Sequence, residues 1–188
     1  MTRKSVLAAL VLGTIGGSIV ALPAYAGGDK VAFPENWANG VMYMTLDRPV
    51  NPRPAVAGVE NSAQYREYYV TPPAIEALRK GEPVPSGTVI VNVMYRAQLD
   101  AQGNPLKDAN GHFIKGKLIG FGVMEKRADW GAEYPPEVRN GDWEYQVFGA
   151  DRKPNDKVGL ATCFRCHKSR ADNDFLFTMD RLKAAAAK

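Results

Sequence analysis

The sequence predicts an α+β fold: a mainly antiparallel β-sheet with a few short helices. Three observations carry this. Five short segments rich in valine, tyrosine and other strand formers follow one another at hairpin spacing. One internal segment and the C-terminal tail are the only helical stretches. The 188 residues include 18 glycines and 13 prolines, a punctuation that breaks any helix bundle.

The elements follow in order. Residues 1–26 read as an export signal. Arg3 and Lys4 begin it, residues 5–22 are uncharged, and Ala24-Tyr25-Ala26 offers small residues at a cleavage site. A retained membrane anchor is the alternative, since the apolar run approaches the roughly 18 residues a spanning helix needs. Gly13, Gly16, Gly17 and the Ala-Tyr-Ala end favour cleavage after Ala26. Residues 27–188 then form a single domain, periplasmic and free of the membrane once the signal is removed. Residues 27–34 read as a mobile lead. Residues 41–46 form the first strand, and Pro49, Pro52 and Pro54 place a loop over 48–58. Residues 64–70 form the second strand. Thr71, as a cap, and Pro72-Pro73 start a helix over 74–80 that Gly81 stops.

Residues 88–99 are the longest strand. Both of its faces begin apolar, which suggests a central strand covered on both sides. Residues 117–126 are its partner. Between them Asp100-Ala101-Gln102-Gly103 is echoed by Asp108-Ala109-Asn110-Gly111, each with a lysine four residues after its glycine. This is turn chemistry, so a two-turn hairpin tip is expected; the spacing does not suit a calcium loop. Residues 142–148 form the last strand.

Composition excludes several functions. A net charge of +4 with no basic stripe gives no reason to expect nucleic-acid binding. Two cysteines and two histidines leave room for one Cys/His site at most. That site is Cys163-Phe164-Arg165-Cys166-His167, the CxxCH pattern of c-type haem attachment. On a helical turn both sulfurs reach the two vinyl groups of one porphyrin, and His167 is then the axial ligand of the haem iron. A thioredoxin-like redox pair would sit near the start of its domain, a zinc site needs about four ligands, and a disulfide across three residues would be strained. One haem c per chain, covalently held near the C-terminus, is the expectation. Candidates for the sixth ligand are His112, Met42, Met44, Met94, Met124 and Met179. Methionines on strands usually serve a core, so an open sixth position is the favoured reading.

Over residues 37–177 the chain resembles the cytochrome P-460 family of exported β-sheet c-type cytochromes. The matching pieces are Gly87-Thr88-Val89, Ile119-Gly120, Gly141-Asp142-Trp143, residues 163–168 and Phe175-Leu176-Phe177-Thr178. The resemblance implies hydroxylamine oxidation or nitric oxide binding; the related cytochromes c′-beta bind nitric oxide at five-coordinate haem and are often homodimers. It also implies where a lysine cross-link would start, which is Asn92 here, and where a distal carboxylate would stand, which is Gly122 here. Both groups are therefore expected to be missing. Arg66 matches a pocket arginine of the family, which would orient a ligand or pair with a haem propionate; a surface arginine on a half-exposed strand is the alternative.

Leu118, Gly120, Gly122 and Met124 share one strand face, with Ile90, Asn92 and Met94 on the neighbouring strand. They read equally as a haem wall or a plain sheet core with Asn92 bonded to backbone. Glu125, beside Lys126 and Arg127, reads as a surface ion pair rather than a base. Trp130, Trp143 and Tyr145 read as core or dimer contacts. The leading expectation is an exported monohaem cytochrome with a distal pocket of Arg66, Asn92, Met94 and Gly122, binding or redox-processing a small nitrogen species and served by a redox partner protein. A six-coordinate electron carrier and a hydroxylamine oxidase are the alternatives.

Overall fold

The computed structural model describes residues 30–51 and 58–188. The expected export signal, and Pro52 and Pro54 of the expected loop, lie outside the described residues. Five strands form one antiparallel sheet in sequence order: β1 (Val41–Arg48), β2 (Gln64–Val70), β3 (Thr88–Ala97), β4 (Lys115–Lys126) and β5 (Trp143–Gly149). Such a meander places β3 at the centre, and its valines explain why. Val91 and Val93 point to one face and Ile90 and Met94 to the other, and all four are buried.

Helices cover the Ile90 face: α1 (Pro72–Arg79), α2 (Ala161–Lys168) and α3 (Met179–Ala186). Their core joins Ala74 and Ile75 of α1, Phe164 of α2 and Leu182 of α3 to Val70, Ile90, Trp143 and Tyr145 of the sheet. Two prolines open α1, and it closes in a Schellman motif. Glu82 N–H donates to Ala77 O and Gly81 N–H to Leu78 O, with Gly81 at φ 75°. Thr71 does not cap this helix. Its Oγ1 accepts from Val89 N at 3.2 Å and ties the helix start to β3 instead.

The opposite face packs Val91, Val93, Phe121, Val123 and Phe148 under Phe33, Trp37 and Val31. The expected mobile lead is therefore anchored within its described part. Val31 is buried, and the Phe33 ring stands edge-on to Phe121 at 4.9 Å and Phe148 at 5.3 Å. The hairpin tip repeats one turn twice. Asp100 Oδ1 accepts from the backbone N–H of Gln102 and Asn104, and Asp108 Oδ1 from that of Asn110 and His112.

Two irregularities re-aim side chains. The β1–β2 register shifts between Met42 and Met44: Val41 and Tyr43 pack on the helix side, and beyond the shift Arg48 lines the cavity on that side. The β3–β4 register shifts after Met94, so Leu118 stands opposite Tyr95 and packs with Val91 and Val93. Strict alternation put Leu118 on the face of Gly122; the bulge moves it to the other side. Glu125 is buried rather than at the surface, and it pairs with exposed Arg127 at 2.5 Å.

The strand glycines serve different purposes. A Cβ on Gly120 would collide with the carbonyl oxygen of Phe148, so β5 lies too close for any side chain there. A Cβ on Gly122 would meet only Asn92, with Nδ2 at 3.7 Å. Gly120→Ala should therefore destabilise the fold by roughly 1–3 kcal/mol, the usual range for overpacking. Gly122→Ala should change it by less than about 0.5 kcal/mol. Urea denaturation of the two variants tests the contrast, and equal losses would contradict it.

Candidate functional site

Helix α2 carries the chemistry because its period aligns the donors. Cys163 and Cys166 are three apart and Cys163 and His167 four apart, so all three share one face. Phe164, one position round, is buried between Tyr145 and Tyr134 at centroid distances of 4.8 and 5.1 Å. Burying that ring contributes roughly 1.5–3 kcal/mol and seats the helix against β5. The donor face is left turned toward a cavity of about 310 Å³, whose lining includes both cysteines and His167.

His167 is held on three sides. Its ring lies against Tyr145 at 4.8 Å and edge-on to Phe177 at 5.1 Å. Its Nδ1 is 2.7 Å from the carbonyl oxygen of Phe175. A carbonyl only accepts, so Nδ1 carries the proton and Nε2 keeps a lone pair for a metal. Burial lowers the imidazole pKa, partly opposed by that hydrogen bond. The Phe175 carbonyl is aimed by two successive left-handed residues, Asp174 at φ 51° and Phe175 at φ 60°. Asp174 is pinned there by Lys126 Nζ at 2.9 Å and Trp143 Nε1 at 3.3 Å.

The two cysteines are free thiols in unlike settings. Cys163 is partly buried and Cys166 exposed. Burial first, and the neighbouring Cys166 second, push the Cys163 thiol up to about 11.

The wall facing α2 comes from the sheet. Arg66, Asn92 and Gly122 line this cavity and an adjoining one of about 260 Å³; Met94 lines the second. The four residues expected at a distal pocket are thus gathered beside the donor set. Asn92 Oδ1 is buried with no hydrogen-bond partner among the described residues. Arg66 is not a free surface residue, since its Nε and Nη2 donate to Gln64 Oε1 at 2.8 and 2.6 Å. Of the candidate sixth ligands, Met124 lines the first cavity and Met94 the second. His112 sits on the hairpin tip bonded to Asp47 at 2.9 Å, Met42 is exposed, and Met179 belongs to the core.

Sequence reasoning missed Tyr43, Tyr68, Arg48 and the cavity role of Tyr145. Tyr43 lines the cavity and bonds Thr178 Oγ1 at 2.9 Å, and burial raises its pKa. The tyrosine-rich composition of β2 was a signal for a strand but not for which tyrosine faces inward.

Size does not select this site. A groove of about 330 Å³ on the other side, lined by Trp37, Tyr69 and Val91, is as large but holds no cysteine or histidine. The donor chemistry agrees with the comparison to protein families: the cytochrome P460 family matches residues 34–178. The chain belongs to the cytochrome P460 family. Membership carries with it the character of a c-type haem cytochrome. A search of curated proteins matches none of them.

The residues present fit a haem. Two thiols and an imidazole with a free Nε2 line one cavity, Gly122 leaves the facing wall open, and the orphaned Asn92 oxygen awaits a donor. Among the described residues no group of three or more His, Cys, Asp or Glu is arranged to hold a metal ion directly.

In haem-free protein, iodoacetamide should alkylate Cys166 well before Cys163. At pH 8 a thiol of pKa about 11 is roughly one part in a thousand thiolate. Cys163 labelling should accelerate as pH rises toward 11, because only the thiolate attacks. The raised pKa also means its protonated form contributes stability below the ordinary thiol pKa, lost as pH climbs to about 11. Peptide mass spectrometry reads the order, and simultaneous labelling would contradict the burial difference.

Proposed function

We propose that the chain is an exported monohaem c-type cytochrome that binds, or redox-processes, a small nitrogen species such as nitric oxide. In this reading Cys163 and Cys166 hold one haem by thioether bonds and His167 Nε2 ligates its iron. One observation carries it: the Nδ1–H of His167 is spent on Phe175, so the nitrogen left for a metal belongs to a ring that lines the same cavity as both thiols.

Haem iron supplies reversible electron transfer and affinity for small neutral ligands. The chain's residues would tune that chemistry. The Phe175 carbonyl holds the imidazole tautomer and makes His167 a stronger donor. Tyr145 and Phe177 fix the ring's rotation. Ile90, Met124, Val147 and Leu176 make the cavity largely apolar, which suits an uncharged diatomic better than an anion. Asn92 offers an unused acceptor and Arg66 a positive charge at the same wall.

The cavity lining disfavours hydroxylamine oxidation. Among the described residues no lysine lines either cavity, and the one carboxylate there, Glu60, is held by Arg96 at 2.8 and 2.6 Å. Oxidation needs a positioned base, and none stands free. Met124 favours the second reading, a six-coordinate electron carrier, because its thioether shares the cavity of His167. The basic start, uncharged run and Ala-Tyr-Ala end of residues 1–26 read as an export signal and support periplasmic residence, where a redox partner protein would exchange electrons with the haem. A homodimer is part of the same reading.

Expression with a haem-maturation system should give a red protein whose mass equals the mature polypeptide plus one haem. Its reduced spectrum should be five-coordinate and should shift on adding nitric oxide. His167→Ala should keep the haem and lose the parent spectrum. Colourless protein would refute the haem assignment. A low-spin spectrum in both oxidation states without nitric oxide uptake would refute gas binding, and reversal of that spectrum by Met124→Ala would establish the carrier.

A further inference from the structure

We propose that Arg48 and Arg66 together form a carboxylate site that takes a propionate of the haem, an inference that rests on the haem reading above. The strand register builds it. Arg48 stands opposite Gln64 and Leu46 opposite Arg66, so Arg48, Gln64 and Arg66 share one face of the β1–β2 pair. Both arginines line the cavity of about 260 Å³, together with Cys163 and His167.

Gln64 and Glu60 are spent as acceptors, and Asn92 Oδ1 on the same cavity wall has no hydrogen-bond partner among the described residues. Gln64 is fully buried, and its Oε1 takes both bonds from Arg66 while its Nε2 donates to Glu60 O at 2.7 Å. The Glu60 carboxylate is occupied by Arg96. Arg48 Nη1 is left sealed from solvent with no hydrogen-bond partner among the described residues. Desolvation, and then the charge of Arg66, lower the Arg48 pKa. A buried guanidinium N–H without an acceptor is unfavourable, and so are two guanidiniums side by side. One anion between them relieves both.

The shape of that anion follows from the donors. A guanidinium fork matches a planar carboxylate. In a haem the propionates leave the macrocycle on the edge opposite the two vinyl positions. The site is polarised in the same sense, with Cys166 lining only the first cavity, Arg48 only the second, and Cys163 and His167 both. A free anion such as nitrite could satisfy the same donors. A propionate on a thioether-tethered haem has the advantage of a high effective concentration.

The test uses haem-loaded protein carrying Arg48→Gln, Arg66→Gln, both together, or Arg48→Lys. Attachment depends on the cysteines, so the variants should be coloured. Loss of positive charge beside a propionate favours ferric iron, so the midpoint potential should fall in each glutamine variant. The double variant should fall further, by less than the sum, because the two arginines share one carboxylate. The propionate bending band in the resonance Raman spectrum should shift in the same variants. Arg48→Lys should keep a near-parent potential with a shifted band; it also serves if Arg48→Gln does not accumulate. A coloured parent whose potential and band ignore all four variants overturns this inference and leaves the haem reading standing. So does a many-fold loss of nitrite affinity with potential and band unchanged, which would assign the arginines to a free anion. A colourless parent removes the haem reading, and this inference with it.

Discussion

The proton on His167 Nδ1 is shared with the Phe175 carbonyl, and most of the site's organisation serves that contact. The carbonyl points at the imidazole because Asp174 and Phe175 both adopt left-handed backbone angles, a conformation a phenylalanine does not take without support. Support comes from Asp174, gripped by Lys126 of β4 and Trp143 of β5. The sheet therefore reaches around the end of α2 and sets the orientation of its histidine. Phe164 does the complementary work on the other side of the helix by filling the gap between Tyr134 and Tyr145.

A second constraint is the asymmetry of the sheet. One face is packed by the aromatic rings of Phe33, Trp37, Phe121 and Phe148, with a groove beside Trp37 and Tyr69. The other carries helices over only part of its area, and the remainder is the wall that faces the donors. Gly120 and Gly122 look alike in sequence, yet one lets β5 approach and the other leaves room at the cavity. The polar groups admitted to this wall are few. Asn92 keeps an unused oxygen, Tyr43 is bonded to Thr178, and the arginines cluster toward the β1–β2 end.

Much of the fold was legible because local signals agreed. The β2 range matches its expected bounds, and the other strands differ by a few residues at their ends. Turn chemistry at Asp100 and Asp108 reads correctly since each aspartate acts within its own few residues. The failures share a cause. Leu118 is misplaced by alternation because bulges depend on the partner strand. Val31 and Phe33 look like a tail until the sheet face that receives them exists. Arg48 ends a strand before a proline-rich segment, and nothing nearby marks its Nη1 as sealed from solvent.

What the sequence by itself determined is the donor set and the helical face it shares. Spacings of three and four residues are converted into geometry by the helix period alone, without reference to the rest of the chain. The tertiary structure decided which nitrogen of His167 is free, which glycine opens the wall, and which arginines meet. Each of those depends on contacts between segments distant in sequence: a carbonyl held by two strands, a neighbouring strand's carbonyl oxygen, and a lateral register. Hydrogen bonding across strands sets that register, and a single bulge reverses which side chains face inward.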